Sequence, residues 1–295
     1  MKTVIDVAQK YNLDGLDFEW AWLSHLQVTT QFQYSWEYPG VQGIGCNIVN
    51  ESDTANFLTF LQELRGSATG EDLILSAAAS VTPWVGSSGS PTEDVSEFSK
   101  VLDYITIMNY DIKANPAIGA GPSSPLNDSC APTGAQLGSA TSAIDAWTAA
   151  GMPYDQILLG VPAYGHSYVV PPTQITSPNV TGLSYPPFNL SLELPGDSWD
   201  GDRGLDVCGV TQGPGGIYTY WGLVQQDFLN TDGSVKDGID YRFDECSQTV
   251  CAFRKVNYRI QLLNFVVLFS RIFTTRAPTF TFPTTTLNRS LSRVV

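Results

Sequence analysis

Positive charge, histidine and long apolar runs are all scarce in this 295-residue chain, and each scarcity removes a class of function. Lys and Arg number 15 against 29 acidic residues, a formal net charge of −14, so the phosphates of a nucleic acid would be repelled. The two histidines, His25 and His166, stand far apart and form no metal-ligand pattern. No metal or other cofactor is expected, and a solitary His is read as a packing or hydrogen-bonding residue. No apolar run reaches the length of a membrane span, so no membrane partner is expected. The opening MKTVIDVAQKYNLDG has no apolar signal core and reads as an amphipathic helix already under way.

What remains is an ordered, loop-rich composition with 43% hydrophobic residues, 26 Gly and 18 Pro. At 295 residues the chain can bury a core of one large domain or two ordinary ones. Charged residues at 15% and aromatics at 12% give a polar, weakly charged surface, suited to neutral sugars that stack on aromatic faces. Five cysteines point to two disulfides and one left over. Asn-x-Ser/Thr acceptor sites begin at Asn50, Asn127, Asn179, Asn189 and Asn288. Cysteines and acceptor sites together favour an extracellular glycoprotein, and a secreted chain that starts in mid-helix is expected to have lost its front end.

Strand and helix alternate along the first half. LDGLDF reads as a buried strand and DTANFLTFLQELR as a helix. LILSAAASV, VSEFSKVLD and YITIMNYDI follow as strand, helix and strand. GAQLGSATSAIDAWTAAG is a helix closed by Gly151, and QILLGVPAYG the next strand. Repetition of this kind predicts a parallel α/β architecture. The strands end in polar or aromatic residues, where a β/α barrel builds its site, although four units are too few to close one. From about Tyr168 to Thr249 the composition turns to Pro, Gly, Asp and aromatics with short strands such as GGIYTYWGLV, predicting an inserted α+β subdomain. From Val250 it changes again: no Gly, no acidic residue, and seven of the 15 basic residues.

YNLDGLDF, WEYPG, MNYD and GVPAYG together resemble the family 18 glycoside hydrolases, in particular the fungal secreted chitinases. The resemblance implies a (β/α)8 TIM barrel, here partial, with residues 1–167 supplying strands four to seven and 168–249 the inserted α+β subdomain. In that family the fourth strand carries Asp-Gly-x-Asp-x-Asp-x-Glu. Its last Glu is the general acid, its neighbouring Asp orients the N-acetyl group, and the acetamido oxygen itself attacks the anomeric carbon, so configuration is retained. Crowded acids raise at least one pKa there and keep a proton available.

Asp14, Gly15 and Asp17 match that motif. Direct continuation places Glu19 at the orienting position and Ala21 at the acid, which describes a dead enzyme. WEYPG fits the continuation better, with Glu37 as the acid/base and Tyr38 behind it. If Glu19 is encoded GAG and Ser35 AGC, removal of an intron between them restores Asp and spells DGLDFDWEYPG. Residues 20–34 are therefore expected to be a retained intron, excluded from fold reasoning. The tail 250–295 is expected to be out of frame, because its codons shifted by one nucleotide encode a family-like continuation. The literal chain is expected to fold poorly and show no turnover.

Carried over residue by residue, Asp14, Asp17 and Glu37 are the catalytic acids. Met108, Tyr110 and Asp111 match the sixth-strand M-x-Y-D that holds the N-acetyl group, and Tyr164 matches the seventh-strand wall. Trp84 follows the fifth strand, where an indole can stack on a sugar. Cys46 with Cys130, whose loops share a barrel face, and Cys208 with Cys246, which bracket the subdomain, are the expected pairs, leaving Cys251. The implied partner is chitin or chitooligosaccharides, bound by a monomer. Two alternatives stand beside hydrolysis: an inactive chitin-binding, lectin-like protein, and an endo-β-N-acetylglucosaminidase, against which the groove-deepening subdomain speaks.

Overall fold

Alternation along each strand decides which way the first sheet faces. The structure, a computed structural model, describes residues 1–19, 38–41, 49–112, 117–171, 185–189, 192, 194–206, 208–256 and 259–266. Glu37, His25, Cys46, Asn179 and everything from residue 267 onward lie outside the described residues, as does the whole of 20–34. Helix α1 (Lys2–Tyr11) leads into β1 (Gly15–Phe18), followed by α2 (Asp53–Arg65), β2 (Ile74–Ala79), α3 (Ser96–Ser99), β3 (Tyr104–Met108), α4 (Ala140–Ala149) and β4 (Ile157–Gly160). The four strands pair in parallel, in chain order.

On one face Leu16, Phe18, Leu75, Ala77, Ala79, Ile105, Ile107 and Ile157 meet α2 and α4 through Phe57, Leu61, Leu64 and Trp147. Rings interlock there. Phe57 packs edge-on against Phe18 at 6.0 Å and Trp84 at 5.6 Å, and Trp84 against Trp147 at 4.9 Å. The opposite face carries Asp17, Ser76, Thr106 and Met108, alternating with that core. At the strands' N-terminal end Arg65 donates to the carbonyls of Val101, Gly70 and Leu73 and pairs with Asp103 at 2.8 Å, tying helix to sheet away from the site.

Two helices are shorter than their periodicity predicts. Asp103 donates its N–H to Leu75 O and accepts from Leu75 N, so the chain must leave α3 after Ser99 to enter β3. Before α4, Gly138 takes φ 122° and Ser139 caps the helix through a box with Ser142, leaving only a 3-10 turn at Thr133–Ala135 upstream. Gly151, at φ 95°, closes α4 as expected.

QILLGVPAYG is two strands rather than one. After Gly160 the chain passes Pro162, which has no N–H to give a ladder, and Tyr164 opens β5 (Tyr164–Val170) in a second sheet. A two-stranded ribbon of β6 (Gly204–Leu205) and β7 (Thr211–Gln212) comes next, then β8 (Ile217–Thr219) and α5 (Tyr220–Gln225). GGIYTYWGLV is thus half strand, half helix, switched by Thr219, whose side chain caps the N–H of Gly222. β9 (Asp240–Asp244), β10 (Thr249–Val256) and β11 (Arg259–Val266) complete an antiparallel sheet ordered β8-β5-β11-β10-β9. This sheet starts before Tyr168 and continues past Thr249, so part of the segment expected to be a non-native tail is paired within it. Alternating VCAF and RIQLLNF supply the strand pattern, and Val250 and Ala252 pack on Leu223 and Phe228.

The expected disulfides are not formed. Cys130 bonds Cys246 across 116 residues, with Cα atoms 6.4 Å apart, joining the loop after β3 to the turn between β9 and β10. The sequence offered no distance between that loop and that turn. The chain-entropy estimate for a loop of this order is about 4.7 kcal/mol, and native disulfides typically contribute about 2–5 kcal/mol. Replacing both cysteines by serine is expected to lower stability by about that range in denaturant titration.

Candidate active site

Four residues beyond the end of β3 build the centre of the site. Asn109 is buried and donates to Pro125 O at 3.1 Å, while the Ser124 hydroxyl donates to Asn109 O, so the loop is fastened from beneath. Ile112 N donates to Ser123 O at 3.0 Å. Between these anchors Asp111 takes φ 55°, a left-handed conformation that Asp tolerates better than most residues. The turn aims its carboxylate away from the sheet and toward β5.

Two side chains of β5 meet that carboxylate. The Tyr164 hydroxyl donates to Asp111 Oδ2 at 2.8 Å, and His166 Nε2 lies 2.7 Å from Asp111 Oδ1. Tyr164 and His166 are two apart on a strand, hence on one face. Burial, followed by the bond to Asp111 and that residue's charge, holds the Tyr164 phenol far above its ordinary pKa; Tyr110 and Tyr38 add to the effect. Tyr38 is thus within electrostatic reach of Tyr164. Its turn is seated on the loop after β2, where a Cβ at Gly40 would fall 2.7 Å from Val85 O. Tyr110 packs edge-on to Tyr164 at 6.3 Å, its ring passing over Gly160.

Tyr38, Tyr110, Asp111 and Tyr164 are thus brought together, and Met108, paired with Gly160, ends the strand beneath them. Asp17 lies on the face that Met108 shares and accepts a 2.5 Å hydrogen bond from the buried Ser76 hydroxyl. Two assignments need correction. Asp14 precedes β1 at its N-terminal end, opposite the site: its carbonyl accepts from Ile74 N, and three residues of strand, about 10 Å, separate it from Asp17. Trp84 is 2% exposed and packs on Phe57, Phe98 and Trp147, so it is a core residue and offers no face to a sugar. Its indole N–H has no hydrogen-bond partner among the described residues.

His166 and Ser76 are site residues that sequence reasoning passed over. Alternation in YGHSY was the available sign, since it places Tyr164, His166 and Tyr168 on one face. No group of His, Cys, Asp and Glu among the described residues has metal-holding geometry. No described helix is long and apolar enough to cross a membrane.

The sequence model of the family described as "Glycosyl hydrolases family 18" matches residues 1–249. A chitinase-like effector of Moniliophthora perniciosa is 43% identical over 256 residues, covering 86% of this chain and 54% of the relative. One from Moniliophthora roreri is 42% identical over 251 residues, 84% of this chain and 57% of the relative. The chain spans about half the length of these relatives. Among solved structures, a chitinase from Rhizomucor miehei superposes with TM-score 0.72 at 29% identity, over 90% of this chain and 65% of the other. Group IV chitinase of Ostrinia furnacalis, in complex with allosamidin, gives TM-score 0.61 at 22% identity over 90% of this chain and 58% of the other, a likeness of fold. The four parallel strands are accordingly part of a TIM-barrel-type α/β fold.

Two predictions follow from the geometry. A methyl group on Gly160 would meet Tyr110 Cε1 at 2.9 Å and Ile107 O at 2.8 Å, and the carbonyl cannot swing aside within the ladder. Gly160→Ala is expected to displace the Tyr110 ring and to cost about 1–3 kcal/mol, read by denaturant titration and by the Tyr110 ring signals in NMR. Burial, with the charge of Asp111 behind it, pushes Tyr168 up to about 12. An unfolded tyrosine ionises near 10. The stability from keeping this phenol neutral is complete below about pH 10 and is lost as the pH rises through 12. Absorbance at 295 nm should show one fewer late-ionising phenol in Tyr168→Phe.

Proposed function

The chain belongs to glycosyl hydrolase family 18, and from that membership we propose that it acts on chitin as a chitinase-type protein, cutting β-1,4 N-acetylglucosamine linkages with retention. The observation that carries the reading is the Asp111 carboxylate, gripped by Tyr164 and His166 beside Tyr110 and Tyr38 at the C-terminal end of the parallel strands. Tyr110 and Asp111 are assigned to the N-acetyl group, with Tyr164 and Met108 as wall and floor. The acetamido oxygen attacks the anomeric carbon as Glu37 gives its proton to the leaving oxygen; Glu37 then takes a proton from the water that opens the oxazolinium intermediate. Asp17, held by Ser76, steadies positive charge developing on the ring side. Residues 1–167 are assigned to the catalytic barrel, and an extracellular site of action accords with the disulfide.

A second reading has its own support. Two relatives bear the words "chitinase-like effector" rather than chitinase, and in this chain β1 runs directly into Glu19, exposed at its end, where the family motif has an Asp. Under this reading the N-acetyl pocket binds chitooligosaccharides and turnover is absent.

Chitotetraose to chitohexaose separate the readings. On the hydrolase reading, incubation with the full chain releases shorter oligomers with the anomer retained and Asp111→Asn lowers the rate by about 10²-fold or more, whereas the interrupted motif after Phe18 predicts no turnover by this chain. Tight binding by calorimetry with no product supports the binding protein. Cleavage of N-glycans with chitin oligomers untouched would transfer the site to the endo-β-N-acetylglucosaminidases. Neither binding nor cleavage overturns both chitin readings.

A further inference from the structure

We propose that two copies of this chain close one eight-stranded barrel, β4 of each copy pairing with β1 of the other, in place of the monomer expected from the resemblance. The inference rests on the barrel-type fold and not on the chitin reading, so the two are tested separately.

The parallel sheet is open at both edges. Its four strands run in chain order, and among the described residues nothing pairs with the outer side of β1 or of β4. A parallel sheet of apolar strands is ordinarily covered on both faces, and a bare apolar edge invites pairing with another chain. β4 is bare in both respects. Its register puts Leu158 beside Thr106 on the inner face and Leu159 beside Ile107 on the helix face. Leu158 and Val161 are half exposed, and Leu159 is 38% exposed although the neighbouring Ile107 is fully buried. The cause lies in the order of elements. α2, α3 and α4 each cross from one strand to the next, whereas β4 is followed by β5 of the other sheet, so no described helix returns to cover it. At the opposite edge the shortfall is reversed, for α1 leads into β1 and no described strand precedes it. Val4, Ile5 and Ala8 of α1 pack on the core. Val7 and Tyr11 continue the same stripe at helical spacing, yet Val7 is exposed and Tyr11 is 62% exposed. One edge has a strand without a helix, the other a helix without a strand.

Within one copy these edges stand at opposite ends of the sheet. A second copy, turned by half a revolution about the barrel axis, supplies both. Its α1 covers Leu159 and Val161, its β1 takes up the ladder of β4, and the same contact recurs at the other seam. Four strands from each copy make the number that a closed parallel barrel requires. No edge is left over, so assembly stops at two. Leu158 then enters the barrel interior, which branched side chains fill in layers. The mouth above the strands receives an Asp111 cluster from each copy.

Sedimentation equilibrium of the full chain should give twice the mass of one chain. Leu159→Glu and Tyr11→Lys alter side chains already exposed in the single copy, and each should halve that mass while the circular dichroism is unchanged. Should one variant lose its circular dichroism, the other decides alone. Val210→Lys, at an exposed position beside β7, should remain a dimer. Mixing the Leu159→Glu and Tyr11→Lys chains should restore the doubled mass, because the mixed pair has one seam joined by opposite charges and one seam unaltered. Such rescue belongs to a contact between different edges and not to a like-with-like pairing of β4. A wild-type mass of one chain, or growth beyond two, would overturn the closed barrel. So would a dimer that survives either edge substitution, or a mixture of the two folded variants that stays monomeric.

Discussion

One carboxylate joins the two halves of this molecule. Asp111 belongs to the loop that leaves the parallel sheet, and both groups that hold it belong to the first strand of the antiparallel sheet. The same seam is drawn together by the Cys130–Cys246 bond and by Tyr220 N donating to Ala163 O. A lone exposed hydrogen bond contributes little net stability. This one is different in kind, because its partners sit on a strand with neighbours on both sides. Their orientation is determined by the sheet, and Asp111 inherits it.

The sheet in turn depends on a strict division of faces. Phe18, Ala77, Ile105 and Ile157 form one row across β1 to β4, and all four turn toward the helices. Shifting any strand by one residue would send its part of this row to the other face and bring Asp17 or Met108 into the aromatic core. The burial of Phe57 and Trp147 against that row is consequently what fixes Asp17 and Met108 on the face opposite. Site geometry at one end of the strands is a by-product of packing along their length.

Much of this was legible beforehand, for an identifiable reason. α2 was predicted at its observed limits, Asp53–Arg65, because its period is unbroken and its neighbours are loops. Tyr110, Asp111 and Tyr164 were singled out through motifs, and the structure brings these three residues together. Trp84 was misread because aromatic character suits a core as well as a sugar platform, and only tertiary packing tells them apart. The disulfide was misread because pairing depends on where loops meet, which no local pattern records. His166 escaped because a single histidine has no spacing to interpret; its meaning came from a partner 55 residues away.

On the proposed assignments, the groups that hold the sugar and the group that reacts are carried by different parts of the chain. Tyr110 and Asp111 come from the loop after β3, Tyr164 and His166 from β5, and these four bond or pack against one another. Glu37, the assigned acid, is reached only through the segment after β1. Under the proposed assignments, recognition of an N-acetyl sugar and its hydrolysis fall to different residues, so loss of Glu37 need not remove the bonds that Tyr164 and His166 make to Asp111. On the same reading the reverse does not hold, since an acetamido oxygen must be aimed before it can attack. A chitin-binding protein without activity and a chitinase are, on this architecture, one pocket with two different approaches to it.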